Sequence, residues 1–408
     1  MLDALPPLRR APHLDGIRYE IRGPLARRAL ELERQGYEVI KLNIGNPAQF
    51  GFRTPEPMRL AMIENLREAE GYCHQKGIFP AREAIATDAV ARGIHGVTVE
   101  DVFMGNGVSE LILMTLEALL ERGDEVLVPA PDYPLWTAAV TLAGGKPVHY
   151  PCRAGAGFVP DPAEIEKLIG PKTRALVIIN PNNPTGAVYP REVVEALARI
   201  AERHRLVLMS DEIYDRILYD GAVHTPIATL CEGTLCATFG GLSKVYRACG
   251  MRVGWVTFSG ARNHAKDYLE GLELLASLRL CSNVPGQWAV QTALGGHQSI
   301  DDLTAESGRL GRQRRALLAA LADSPYFRLV VPQGALYAFP SVDLERVPTF
   351  DDALFAMDLL EHEHVLVVPG SSFNVTYRNH LRLTLLPDSE TMTEVVTRMN
   401  RLLSRSAR

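Results

Sequence analysis

Apolar runs of strand length alternate with segments of helical period through the middle of the chain. "EVLVPAP" (125–131), "RALVIINP" (174–181), "LVLMSDEIY" (206–214) and "LCATFGG" (235–241) are short, largely apolar and end in turn residues. Near-continuous apolar runs suit strands covered on both faces of a parallel sheet. "SELILMTLEALLERG" (109–123) reads as a helix with a serine cap that closes on Gly123. "REVVEALARIAERHR" (191–205) has apolar residues at 193, 194, 197, 198 and 201, one face of a helix. Strands and helices in alternation predict βαβ crossovers. Helical pattern continues to about 322, after which 327–340 and 365–386 read as strands around a helix in "FDDALFAMDLLEHE". The expected fold is therefore α/β: a large domain with a mostly parallel sheet flanked by helices, and a smaller α+β domain. The divisions expected are 1–55 for an N-terminal arm with part of the small domain, 56–300 for the large domain and 301–408 for the rest of the small one.

Composition narrows the function classes. At 408 residues, 47% apolar and 22% charged, the balance is that of a globular protein. A net charge of -5 with no long basic run argues against nucleic acid or an anionic membrane as partner. No apolar run reaches the roughly 18 residues of a membrane span, and "MLDALPPLRRAPHLDG" lacks the core of a signal peptide. A cytoplasmic location is expected. The six cysteines (Cys73, Cys152, Cys231, Cys236, Cys249 and Cys281) form no CxxC pair and no Cys/His metal spacing, so no metal is expected.

Chemistry-bearing residues fall at the carboxyl ends of the predicted strands, where ligands of α/β sheets gather. Asn183 lies in "NPNNPTG" after one strand, and Asp211 and Tyr214 close another. Lys244 follows a third, with Arg252 eight residues beyond in "GGLSKVYRACGMRVGW". "GNGVSE" (105–110) precedes a helix and could offer backbone N–H groups and Ser109 to an anion. Singly, each has an ordinary explanation: a capped turn, a proline-rich loop, a helix start, a surface lysine. Their succession in one chain order is more specific.

That set, with "IRGPLARRA", "LNIGNPAQFGF", "GYCHQKG", "VPAPDYPLWTAAV", "DEIYDRILYD" and "GLSKVYR", resembles the fold-type I, class I aminotransferases that depend on pyridoxal 5'-phosphate. Within them it resembles the bacterial glutamate–pyruvate (alanine) enzymes. The resemblance implies a role for each position. Lys244 would bond the cofactor aldehyde, Asp211 would pair with the pyridine nitrogen, and Tyr214 and Asn183 would bond its phenolic oxygen. Gly107, Val108, Ser109 and Arg252 would hold the phosphate, helped by Tyr72 of a second subunit in a homodimer. Tyr133 would stack on the ring. Arg382 would clamp the substrate α-carboxylate, with Gly45 close by.

Two departures stand out. Many relatives carry serine three residues before the lysine, where this chain has Gly241; Ser243 is a candidate substitute. Aspartate-preferring relatives carry an arginine where this chain has Leu278, with Arg279 one position off register. The resemblance thus implies ping-pong transamination of L-alanine with 2-oxoglutarate, giving pyruvate and L-glutamate. Arg22, with Tyr19, is the candidate reader of the distal carboxylate of glutamate. An aminotransferase for another amino acid (aromatic, branched or aspartate), or a lyase on the same scaffold, stays open at this point.

Overall fold

The computed structural model describes residues 8–15, 17 and 23–405. Seven strands form the main sheet: β1 (Val102–Asn106), β2 (Glu125–Ala130), β3 (Lys146–Pro151), β4 (Thr173–Ile179), β5 (Val207–Asp211), β6 (Leu235–Gly241) and β7 (Val253–Gly260). Their order is β1-β7-β6-β5-β4-β2-β3. Only β7 runs against its neighbours; the other contacts are parallel. Consecutive residues of β4 enter opposite cores. Ala175, Val177 and Ile179 join one apolar cluster, Leu176 and Ile178 the other. This is why the sequence reads as an unbroken apolar run. Each fully buried aliphatic side chain contributes about 1.5–3 kcal/mol.

Helices cover both faces. α1 (Val108–Leu119) follows β1, α2 (Leu135–Leu142) follows β2, and α3 (Arg191–His204) lies between β4 and β5. α1 departs from expectation at both ends. Its cap is Gly107 at φ 83°, not a serine side chain, and Ser109 lies one residue inside the helix. The helix stops at Leu119, because Leu120 turns extended before Gly123.

The C-terminal strands are shorter than the sequence suggested. Leu381–Thr384 is flanked by Tyr337–Ala338 on one side and Val368–Pro369 on the other, all antiparallel. Pro332 and Gly334 break the run between Phe327–Arg328 and Tyr337. Ile40–Lys41 pairs in parallel with Val365–Leu366, so N-terminal residues pack with the C-terminal strands. Among the described residues, no helix is long and apolar enough to cross a membrane.

Candidate active site

A cavity of about 770 Å³ opens at the carboxyl ends of β4, β5 and β6. It is lined by Gly45, Val108, Ser109, Tyr133, Asn183, Asp211, Tyr214, Ser243, Lys244, Arg252 and Arg382. Eleven of the residues singled out in the sequence therefore meet in one place. Gly107 borders it, since a Cβ there would overlap the Arg252 guanidinium. Tyr72 does not line it: its side chain is 81% exposed on the surface of this subunit. Tyr19 and Arg22 lie outside the described residues.

Asp211 closes β5 and is buried. Its carboxylate accepts from Trp136 Nε1 at 3.1 Å and from the Ile213 backbone at 3.3 Å. Among the described residues, no cation stands within ion-pair distance of it. Burial pushes its pKa up to about 6, against the lowering effect of the indole bond. A buried carboxylate without a counter-charge is costly, and a protonated ring nitrogen would supply the missing partner.

Lys244 extends into the cavity and donates to the Gly45 carbonyl at 2.6 Å. Cys249 Sγ lies 3.8 Å from the same amine. Tyr214 donates to the Tyr337 hydroxyl at 3.1 Å. Burial raises the Tyr214 pKa well above the ordinary phenol value. Burial also pushes Tyr337 upward, but Lys244, Arg382 and the Tyr214 bond outweigh it and lower this phenol. Tyr337 further fixes Gly45, where any Cβ would overlap its hydroxyl.

Arg382 is almost fully buried. It donates to Asn183 Oδ1 at 3.0 Å and to the Asn43 carbonyl, and its Nε has no hydrogen-bond partner among the described residues. Its guanidinium is sandwiched between the rings of Tyr337 (4.4 Å) and Phe373 (4.9 Å). No carboxylate among the described residues pairs with it, so its charge is available to a ligand carboxylate.

At the other end of the cavity the start of α1 presents its first N–H groups, a natural anion site. Gly107, at positive φ, is required by the approach of Arg252, which also donates to the Asn106 carbonyl at 3.1 Å. A cation and a helix start at one end, an uncompensated carboxylate in the middle and an amine beside them fit a phosphorylated pyridine aldehyde. The chemistry of the donor set thus suits pyridoxal phosphate.

The two departures have physical reasons. A Cβ on Gly241 would meet the Val253 carbonyl at 2.8 Å across the β6–β7 pairing, so this packing has no room for serine. Arg279 is tied down by the Met104 carbonyl at 2.6 Å and Glu110 at 3.4 Å, away from the cavity lining. Tyr337, Trp136, Phe373 and Cys249 were not singled out in the sequence. Tyr337 and Trp136 sit among apolar residues and read as packing, Phe373 stands alone in the polar turn "GSSFN", and Cys249 has no partner nearby in the chain.

A second cleft of about 920 Å³ is lined by Arg92, Arg216, Arg314, Arg315, His224 and several acidic residues. Each of those arginines is already ion-paired, with Glu212, Asp88, Asp220 and Glu306 respectively, so no free charge is left for an anion.

Residues 37–399 match the family model of class I and class II aminotransferases. The chain is 49% identical to the glutamate-pyruvate aminotransferase AlaA of Escherichia coli K12, over 98% of each chain. It is also 49% identical to an alanine aminotransferase of Mycobacterium tuberculosis H37Rv, over 96% of this chain and 91% of that one. A solved Escherichia coli aminotransferase superposes with a TM-score of 0.97 at 49% identity, covering 99% of this chain and all of the other.

Proposed function

Because the chain belongs to the class I and class II aminotransferases, we propose that it moves an amino group between L-alanine and 2-oxoglutarate, giving pyruvate and L-glutamate. The observation that carries this reading is Arg382. A buried guanidinium without an acidic partner among the described residues, gripped by two rings, is a receptor for the one group that all four substrates share, the α-carboxylate. The choice of alanine rests on the relatives at 49% identity, which are glutamate-pyruvate and alanine aminotransferases. The engagement of Arg279 elsewhere supports it, because that arginine is not offered to a side-chain carboxylate within this subunit's cavity.

Pyridoxal phosphate is the proposed cofactor. When bound, it supplies a conjugated, protonated ring that accepts the electron pair left on the substrate Cα. Asp211 would keep the ring nitrogen protonated, and the neighbouring Trp136 holds that carboxylate in place. Tyr214 and Asn183 would bond the phenolic oxygen. Gly107, Val108, Ser109 and Arg252 would receive the phosphate, and Ser243 borders the same space. Tyr133 would lie against the ring face.

Lys244 has two tasks in this reading. Its amine would hold the cofactor aldehyde before substrate arrives. Once free, that amine would be placed to take the proton from the substrate Cα and hold it for return, the role of a general base. Tyr337 faces that amine and can steady it between the two positions. Arg382 orients the Cα–H bond by fixing the carboxylate, with Gly45 beside it.

The protein is further proposed to act as a homodimer with Tyr72 reaching the partner's phosphate site. Tyr72 is exposed, and Gln75 and Lys76 bind Glu273 at 2.7 and 3.1 Å. Those bonds tie the segment that follows Tyr72 to the helix Lys266–Leu278, on which Leu274 and Leu278 are also exposed. Arg22 and Tyr19 remain the proposed readers of the distal carboxylate of glutamate. The test is kcat/KM for alanine, glutamate, pyruvate and 2-oxoglutarate in Arg22→Ala. The variant should lose the two five-carbon dicarboxylates and spare the two three-carbon substrates; equal losses would discard the role of Arg22.

A further inference from the structure

Asp132 is 0% exposed and has no cation within ion-pair distance among the described residues. Burial raises its carboxyl to about 7. Such a group is expensive to keep, yet its hydrogen bonds run in two specific directions. Inside its own turn, Oδ2 accepts from Thr137 Oγ1 at 2.6 Å, and that hydroxyl also contacts His149 Nε2 at 2.9 Å. Across to the C-terminal strands, Oδ1 accepts from Asn374 Nδ2 at 2.8 Å, and the Asp132 backbone N–H donates to the Phe373 carbonyl at 3.3 Å.

Both ends of this link reach the active site. On the main-sheet side, Asp132 precedes Tyr133, which lines the cavity, and Trp136, which holds Asp211. On the other side, Phe373 and Asn374 lie in the loop joining Val368–Pro369 to Leu381–Thr384, two paired strands. Arg382 is on the second of these, and the Phe373 ring packs 4.9 Å from its guanidinium. Asn374 takes a left-handed conformation, φ 57°, which turns the loop toward Asp132.

We infer that Asp132 is a positioning residue for the reaction: it pins the Phe373–Asn374 loop to the Tyr133–Trp136 turn and so fixes Arg382 relative to the cofactor face. It touches no substrate. It acts through Phe373, one wall of the guanidinium sandwich, and the inference rests on Arg382 being the carboxylate receptor. A hydrogen bond to a buried carboxylate is among the stronger kinds, and rings that wall in a guanidinium limit where it can point.

The experiment uses the purified holoenzyme and Asp132→Ala, Asp132→Asn, Asn374→Ala, the Asp132→Ala/Asn374→Ala pair and Arg382→Lys. Propionate, which carries the carboxylate of alanine but no amine, is titrated by calorimetry, and KM and kcat are measured for alanine and pyruvate. Asp132→Ala should weaken propionate and raise both KM values on the order of tenfold, as loss of a charge-assisted bond implies. The kcat should change much less, because binding rather than the proton transfer is affected. Asn374→Ala should do the same in part and add little in the double variant, since the two residues form one link. Asp132→Asn keeps an oxygen for Asn374 and should recover most of the affinity. Should Asp132→Ala fail to fold, Asn374→Ala alone must still weaken propionate.

Wild-type propionate affinity in Asn374→Ala, or full additivity of the two alanine variants, would overturn the inference. Unchanged propionate binding in Arg382→Lys would instead overturn the receptor role of Arg382, which separates the two failures.

Discussion

Trp136 donates its indole N–H to the Asp211 carboxylate at 3.1 Å, and that bond is the strongest influence opposing the burial of this acid. The two residues come from different strand–helix connections, 75 positions apart. Trp136→Phe keeps most of the volume and removes the donor. A bond to a charged group is worth about 1.5–3 kcal/mol, so cofactor affinity should fall roughly ten- to a hundredfold. Titration of the cofactor-free protein with pyridoxal phosphate checks this, and unchanged affinity would show that Asp211 needs no such support.

Gly107→Ala should damage phosphate binding selectively. The residue sits at φ 83°, where an L side chain is strained, and the new methyl would displace the Arg252 guanidinium. The fold should survive, with the loss in thermal stability limited to about 1–3 kcal/mol. Affinity for pyridoxal phosphate should fall while affinity for pyridoxal, which lacks the phosphate, stays the same. An equal loss for both would mean that the site as a whole had moved.

How far the sequence revealed this site depends on the kind of contact. Lys244, Asp211 and Asn183 are polar residues at the ends of apolar runs, and that contrast is visible without coordinates. β7 is not legible in this way, because glycine and serine in "VGWVTFSG" interrupt its pattern. Tyr337 escaped because it lies inside "GALYAF", where an aromatic reads as packing. Asp132 escaped because "PDYP" reads as a turn, and its partner Asn374 lies 242 positions away. Ser109 looked like a cap because serine favours that position, but the approach of Arg252 demands glycine there and moves the helix start back by two residues.

Tyr337→Phe tests the hydroxyl that faces Lys244. Removing it leaves the Tyr214 hydroxyl without its acceptor and takes a polar neighbour from the amine. The kcat for alanine with 2-oxoglutarate should fall on the order of tenfold, less than the ~10²–10⁴ of a group that itself transfers the proton. KM should change less, because the ring that packs on Arg382 is retained. Steady-state kinetics decides, and a variant with raised KM and normal kcat would assign Tyr337 to substrate binding alone.

Asp132 also predicts a stability trend with pH. Burial raises its carboxyl to about 7 in the folded protein, while an unfolded aspartate titrates near about 4. Between those values the folded chain holds a proton that the unfolded chain has released, so this contribution is present below about pH 4 and lost as pH rises toward 7. Asp132→Asn cannot titrate. Its stability relative to wild type, read from melting temperatures, should therefore climb from pH 5 to pH 8 by at most roughly 3 kcal/mol. A constant difference across that range would mean that Asp132 stays ionised.

The central claim, transfer of an amino group between L-alanine and 2-oxoglutarate with Lys244 as the acting amine, is tested most directly by half-reactions. The purified enzyme loaded with pyridoxal phosphate is mixed with one amino acid at a time, without any oxo acid, and the cofactor absorbance is followed. Alanine and glutamate should each convert the cofactor to its amine form in a single turnover, aspartate should do so slowly, and Lys244→Ala should show no conversion with any of them. Rapid conversion by aspartate with none by alanine, or full conversion in Lys244→Ala, would contradict the account.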